Sequence, residues 1–347
     1  SAKRREIAAM NDALRVHGDR HAGPGLLDFA VNIWPGARPD WLREVLVAAL
    51  DEERYPDERP AVAAIAARHG RPPEEVLLLN GACEGFWLLA HALRPRAAAC
   101  VHPAFTEPEA ALRAVGAQID QVQRRPEAWA LVPADVPATA ELVVTGNPNN
   151  PTGTLDPAGA LAELARPGRV TVVDESFMEF VPGEPGSVAA RSDLPGLVVV
   201  RSLTKAWTLP GVRAGYLLAS AELVERLAAA RQPWSVNALA CAALEHCATD
   251  RETPARVSVE VAACRSDLLA RLAALPGVRA WASAANFVLV EVPGRGEAVV
   301  AGLRDRGIAV RPCHTFPGLA ADHLRIAVRR PPEHTRLADA LGALLEP

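Results

Sequence analysis

Of the 37 basic residues in this chain only two are lysines, Lys3 and Lys205. The composition puts arginine wherever a bare positive charge suffices. A lysine that persists points to chemistry arginine cannot do: a primary amine that loses its proton and attacks a carbonyl. Lys3 belongs to the charged stretch SAKRREIAAM. Lys205 sits in RSLTKAWTLPGVRAGY (201–216), just beyond the apolar run GLVVVRS. Ser202 and Thr204 add hydroxyl donors and Arg213 adds a fixed cation, a grouping suited to a phosphate held beside the lysine. Neighbouring cations also make it easier for the amine to lose its proton.

Three more groups carry chemistry. Asp174 ends the run VTVVD. A carboxylate there either caps a helix or makes a salt bridge to a protonated pyridine nitrogen, keeping that ring an electron sink. TGNPNNPTG (145–153) comes after the run ELVVT, and is either an ordinary Asn/Pro turn or a tight loop presenting the Asn150 amide. NGACEGF (80–86) comes after EVLLL; its small residues open a helix. The backbone N–H groups of Gly81, Ala82 and Cys83, with the helix dipole, make an anion site.

These groups need a scaffold that brings strand ends together. Short continuous apolar runs, EVLLL (75–79), AAACV (97–101), ELVVT (141–145), VTVVD (170–174), GLVVVRS (196–202) and AGYLLAS (214–220), alternate with helical patterns. They suit the buried strands of a mostly parallel sheet covered by helices, whose ligands gather at the carboxyl ends. Helices are expected over 221–231 and 236–275. The tail reads strand (ANFVLVEV), helix (GEAVVAGLRDRG), strand (IAVRP), strand (HLRIAVR) and a final helix from about 332. The expected organisation is an N-terminal arm (1–37) joined to a small domain, a large domain (38–235) and a small C-terminal α+β domain (236–347).

Bulk properties narrow the function. A net charge of -4 gives no reason to expect nucleic acid or an acidic membrane as partner. No apolar run is long enough to span a bilayer, and the first residues lack a signal-peptide core. Six scattered cysteines show no metal-ligand spacing, so no metal is expected; free thiols fit a reducing cytoplasm.

In this order the segments resemble the fold-type I pyridoxal-phosphate enzymes, the class I/II aminotransferase family, especially its histidinol-phosphate aminotransferase branch. The resemblance implies an α/β fold: a large cofactor domain with a mostly parallel seven-stranded sheet, plus the smaller α+β domain. It implies pyridoxal 5'-phosphate bound through Lys205, with Asn150 at the ring hydroxyl, Asp174 at the ring nitrogen and Phe105 (in HPAFTEP) stacked on the ring. Ser202, Thr204, Arg213 and the backbone of Gly81–Ala82–Cys83 would hold the phosphate. Tyr55, in RYPD, would reach the phosphate of a partner subunit, implying a homodimer with a shared active site.

A closer likeness is to the threonine-phosphate decarboxylase branch of cobalamin biosynthesis. It rests on HG (17–18), LDFAVNIWP (27–35), RYPD (54–57), DESFMEF (174–180), RQPWSVNALA (231–240) and VRPCHTFPGL with HLRIAVR (310–329). It implies a phosphorylated amino acid bound by His17, Gly18, Asn32, Asn150, Arg311 and Arg325. Phe177 stands where most aminotransferases of the branch carry tyrosine. The expected reaction is decarboxylation of O-phospho-L-threonine to an aminopropanol phosphate. The alternatives are an aminotransferase of the histidinol-phosphate type and, from another class, a cofactor-binding protein without turnover. Asp19, Trp34 and Pro108 depart from the branch on the expected substrate side, and Trp34 raises an aromatic substrate.

Overall fold

The computed structural model describes residues 14–346. Lys3 and the first part of the expected arm lie outside the described residues.

Strand β1 (Leu27–Asp28) belongs to the arm. Seven strands come next: β2 (Val76–Leu79), β3 (Ala97–His102), β4 (Gln118–Gln123), β5 (Leu142–Gly146), β6 (Val170–Asp174), β7 (Leu197–Ser202) and β8 (Gly215–Leu218). They form one sheet in the order β2-β8-β7-β6-β5-β3-β4. Strand β8 is antiparallel to both its neighbours; all other pairs are parallel. The carboxyl ends of β2, β3, β5, β6 and β7 therefore share one edge, where the chemical residues were expected to meet.

Each apolar run is continuous because the sheet is covered on both sides. Along the central strands alternate side chains go to opposite faces. Leu77, Leu79, Val144, Val172, Val198 and Val200 pack with Phe86 and Leu89 of the helix Ala82–Leu93. Leu78, Val143, Val173 and Val199 pack on the other face with Ile65 and Leu244. Strand β4 has no apolar run. QIDQVQ is mostly exposed at the sheet edge, where one partner strand supplies the hydrogen bonds and little surface is buried. It is the seventh strand, and periodicity missed it for that reason.

The C-terminal part carries β9 (Arg279–Ala280), β10 (Phe287–Glu291), β11 (Ile308–Ala309), β12 (Arg311–Pro312) and β13 (His323–Ala327). Strands β12-β13-β10-β9 make an antiparallel sheet, and β11 pairs in parallel with β1 of the arm. The single strand expected over IAVRP is thus split, with Val310 between two sheets, and this split turns Arg311 toward β13. The single helix expected over 236–275 is also two, Ala238–Thr249 and Glu252–Ala273. Asp250 breaks it: its carboxylate accepts from the backbone N–H groups of Glu252 and Thr253 and from the Thr253 hydroxyl. The helix Ala238–Thr249, C-terminal to the expected boundary at 235, packs on Asp40–Leu50 and Arg59–His69.

Cys83, Cys100, Cys241, Cys247, Cys264 and Cys313 are free thiols. Cys100 lies with His102 and Glu109, all buried. The Glu109 carboxylate is already taken up by His102, Arg113 and Gln121. Among the described residues no helix is long and apolar enough to cross a membrane.

Candidate active site

A cavity of about 540 Å³ opens at the carboxyl edge of the large sheet, between it and the C-terminal sheet. Lys205 lies in its wall on the turn after β7. The turn is pinned on its arm side, where the Trp34 N–H donates to the Lys205 carbonyl (3.2 Å) and the Thr208 hydroxyl to the Trp34 carbonyl (2.5 Å). Lys205 Nζ sits 5.8 Å from the centre of the Phe177 ring. Burial is the largest cause that brings the amine down to about 8, followed by the Arg325 cation; Arg213 adds to this and Asp174 opposes it. The sequence pointed to cations as the cause; in the fold burial comes first and the main cation is Arg325.

Asp174, at the end of β6, lines the same cavity. One oxygen accepts from the Ser176 hydroxyl (2.5 Å) and backbone N–H (3.0 Å); the other makes no hydrogen bond among the described residues. Burial pushes this carboxyl up, against the Ser176 bonds and the Lys205 charge. The helix-cap alternative does not describe it. The loop after β5 uses its asparagines differently. Asn147 bonds the Asp156 and Gly186 carbonyls, and Asn149 the Pro103 carbonyl and Thr152 hydroxyl, which fixes the loop. Asn150 alone faces the cavity. Its Oδ1 accepts from Arg325 Nη1 (2.6 Å), which leaves its Nδ2 donors for a bound group.

Ser202, Thr204, Arg213, Ala82, Cys83 and Phe105 also line the cavity. Gly81 does not; it lies beneath Arg213. Its φ is +82°, and a Cβ there would sit 2.3 Å from an Arg213 guanidinium nitrogen. Glycine is required so that the guanidinium can lie against the turn opening the helix Ala82–Leu93.

The other half of the cavity holds His17, Gly18, Asn32, Arg311 and Arg325. Arg325, on β13, is buried; Nη2 donates to the Ala30 carbonyl (2.8 Å) and Nε has no partner among the described residues. Arg311, on β12, donates to the Val16 and Pro312 carbonyls, the Thr315 hydroxyl and His21 Nε2. Burial and the Arg311 charge bring His21 down to about 4, so it accepts as a neutral ring. Neither arginine has a carboxylate within 4 Å among the described residues. Two buried guanidinium groups without counter-ions, facing one cavity, make it a receptor for anions. The Asn32 Oδ1, also buried, has no partner among the described residues.

His17 is paired with Glu107 (2.6 Å), whose second oxygen accepts from the Trp87 indole. Burial pushes Glu107 up, but the bonds from His17 and Trp87 prevail and hold it below the usual value. Glu107, Ile33, Ser176 and Phe316 line the cavity without having been expected there. Each lies in a quoted motif, which was the available signal. Gly18 has a steric reason: a Cβ would fall 2.5 Å from the Ala30 carbonyl and 3.2 Å from Arg325 Nη2. Gly18→Ala should therefore disturb the Arg325 fork. The expected result is a KM for carboxylate substrates raised about tenfold, with kcat little changed. Steady-state kinetics beside an unchanged visible spectrum would check it.

Tyr55, expected to reach the phosphate of a partner subunit, lies on the surface away from this chain's own cavity, 74% exposed and stacked on Trp234, ring centres 4.5 Å apart. Two expectations need correction. Trp34 does not reach the substrate half. It is 1% exposed, in the core, because its backbone is committed to the Lys205 turn, so it gives no reason to expect an aromatic substrate. Pro108 packs with Phe86, Leu112 and Val144 outside the cavity. Only Asp19 of the three departures lines it.

The chain matches the family "Aminotransferase class I and II" over residues 26–341. It is 45% identical over 336 residues to a histidinol-phosphate aminotransferase of Mycobacterium tuberculosis, across 95% of this chain and 90% of that protein. It is 32% identical over 332 residues to a threonine-phosphate decarboxylase of Salmonella typhimurium, across 92% and 91%. The solved histidinol-phosphate aminotransferase of Clostridium acetobutylicum superposes with a TM-score of 0.86 at 24% identity, across 92% of this chain and 99% of that one.

The donor set fits the family's cofactor. A ring nitrogen that carries a proton suits the open oxygen of half-buried Asp174, and a ring hydroxyl suits the free Asn150 amide. A phosphate suits Ser202, Thr204, Arg213 and the helix N-terminus, and an aldehyde suits the depressed amine of Lys205. The chain belongs to the class I and II aminotransferases, and pyridoxal phosphate is its cofactor.

Proposed function

We propose that the chain is an aminotransferase for a phosphorylated amine of the histidinol-phosphate kind, with a 2-oxo acid as the exchange partner. The observation that carries this reading is the pair of buried guanidinium groups, Arg311 and Arg325, without a counter-ion among the described residues and in one cavity with Lys205 and Asp174. An aminotransferase must accept two substrates in turn, here a phosphate ester and a dicarboxylate. Arg325 would hold an α-carboxylate and Arg311 the distal anion, phosphate or carboxylate. His17, Gly18 and Asn32 would close the same half of the cavity. The identity of 45% against 32% supports transamination over the decarboxylation that the motifs first suggested.

Bound pyridoxal phosphate supplies an electron sink for the pair released at the substrate α-carbon. The side chains do the rest. Lys205 Nζ, partly neutral near pH 8, is placed to take up and give back the proton of the substrate α-carbon. Asp174 would hold the proton on the ring nitrogen, and Asn150 would donate to the ring oxygen while its Oδ1 keeps Arg325 in place. Burial excludes water from the amine and strengthens each of these interactions. On an amino acid substrate, which α-bond breaks is decided by how Arg325 orients the carboxylate; a phosphorylated amine has no carboxylate to lose.

One observation favours a second reading, decarboxylation. Phe177 places an apolar ring beneath Lys205 where the aminotransferase branch carries tyrosine. Incubation with histidinol phosphate and 2-oxoglutarate should yield glutamate. CO2 release from O-phosphothreonine without glutamate formation would replace the first reading with the second. Neither product, with cofactor loaded, would leave the binding protein without turnover. The exposed Tyr55–Trp234 stack is the surface we assign to the partner subunit of a homodimer, with Tyr55 directed to the partner's phosphate. We keep the three-part arrangement, with the helix Ala238–Thr249, which packs on Asp40–Leu50 and Arg59–His69, assigned to the large domain rather than divided off at 235.

A further inference from the structure

Behind the cavity wall, on the face of the sheet carrying Tyr216, lies a network of buried charges that the reaction does not use. Two turns meet there: 174–180 after β6, with Asp174 and Phe177, and 202–208 after β7, with Lys205. They are tied twice. Arg201 Nη2 pairs with the Glu175 carboxylate (2.7 Å), and the Glu175 N–H donates to the Val200 carbonyl. Farther out, the Trp207 indole N–H donates to Glu179 Oε2 (3.0 Å), while Arg68 approaches Glu179 Oε1 (3.4 Å). The Trp207 ring is 1% exposed and meets Trp41 edge-on. Along one turn Phe177 lies between Glu175 and Glu179; along the other Lys205 lies between Arg201 and Trp207. The two ties bracket the contact between Lys205 Nζ and the Phe177 ring. An isolated hydrogen bond adds little stability, but a buried carboxylate with few partners enforces its geometry, because leaving it unpaired is costly.

We propose that Glu179 is a positioning residue: by gripping the Trp207 indole, its carboxylate holds the amine of Lys205 over the Phe177 ring, facing Asp174. This rests on the role given to Lys205. The charged groups facing Lys205 are Asp174, Arg213, Arg325 and Asp19. Those facing Glu179 are Arg68, Arg201, Glu184, Tyr216 and Cys247.

The test is the pH midpoint of the visible band of the cofactor-loaded enzyme, beside its kinetics and thermal midpoint. Trp207→Phe keeps an aromatic ring but removes the donor. The midpoint should move by about half a pH unit or more, with kcat reduced roughly tenfold and KM within about twofold. Glu179→Gln keeps an acceptor for the indole and should stay close to wild type on both counts. If Trp207→Phe does not fold, Glu179→Met removes the acceptor and leaves Trp207 in place, with Arg68 keeping the Ala248 and Asp250 carbonyls; the same shift is expected. A lowered thermal midpoint with an unmoved band in these variants overturns the proposal, because a merely structural tie would do only that. The presence of the band in wild type and its loss in Lys205→Arg test the assignment of Lys205 separately.

Discussion

Lys205→Arg should give a folded chain that binds no cofactor covalently, shows no visible band, and loses activity by roughly ten-thousandfold or more. The substitution keeps a positive charge and the cavity gives it room, so the fold has little reason to change. What disappears is an amine able to lose its proton. Burial and Arg325 bring Lys205 to about 8, against an ordinary 10.5, whereas a guanidinium stays charged at every accessible pH. The pH dependence has a definite sign. Lys205 is protonated below about 8 and neutral above, so covalent loading of the wild-type chain should quicken as pH rises through 8. The same difference acts on stability. The unfolded chain binds the proton more tightly, so the burial cost, roughly 3 kcal/mol, is full below 8 and fades as pH rises toward 10.5. The cofactor-free chain should gain stability across that window, and Lys205→Arg should not. Full activity with a retained band in Lys205→Arg would end the assignment.

Lys205 was legible because composition isolates it: in a chain that writes its cations as arginine, a lysine at a strand end needs a reason. Asp174, Asn150 and the Gly81 turn were legible because buried parallel strands write themselves as apolar runs, and the residues just beyond each run lie at the ligand edge. Strand β4 was hidden because an edge strand has no apolar run to betray it. The split of IAVRP was hidden because two strands of two residues have no period. The error over Trp34 is of another kind. Its neighbours Asn32 and Ile33 do line the cavity, and sequence proximity alone put it with them. Its backbone bonds to Lys205 and Thr208 turn its ring into the core, and no one-residue reading separates those outcomes. The Glu179–Trp207 tie was likewise out of reach, since 28 positions separate its ends.

Arg325→Lys should leave the visible band in place and lower kcat/KM roughly a hundredfold to a thousandfold for every substrate with an α-carboxylate. The guanidinium holds Asn150 Oδ1 at 2.6 Å and the Ala30 carbonyl at 2.8 Å, with its Nε unpartnered. A carboxylate completes that fork without displacing either bond. An ammonium is a compact charge on a shorter stem and cannot serve the asparagine, the carbonyl and a two-pronged anion together. Losing one partner of a buried charged pair costs about 3–5 kcal/mol; because the lysine keeps a charge, the smaller end applies. Removing the charge, as in Arg325→Leu, should also let Lys205 climb from about 8, since Arg325 is the largest cation acting on it. Loading should then need a higher pH. Arg311→Lys gives the contrast. Its guanidinium already serves Val16, Pro312 and Thr315 and is assigned the distal anion, so only substrates carrying a phosphate or a distal carboxylate should suffer. A comparison of alanine with a phosphorylated amine in the two variants separates the forks. Equal losses for alanine in both would show that the two arginines do not divide the substrate as proposed.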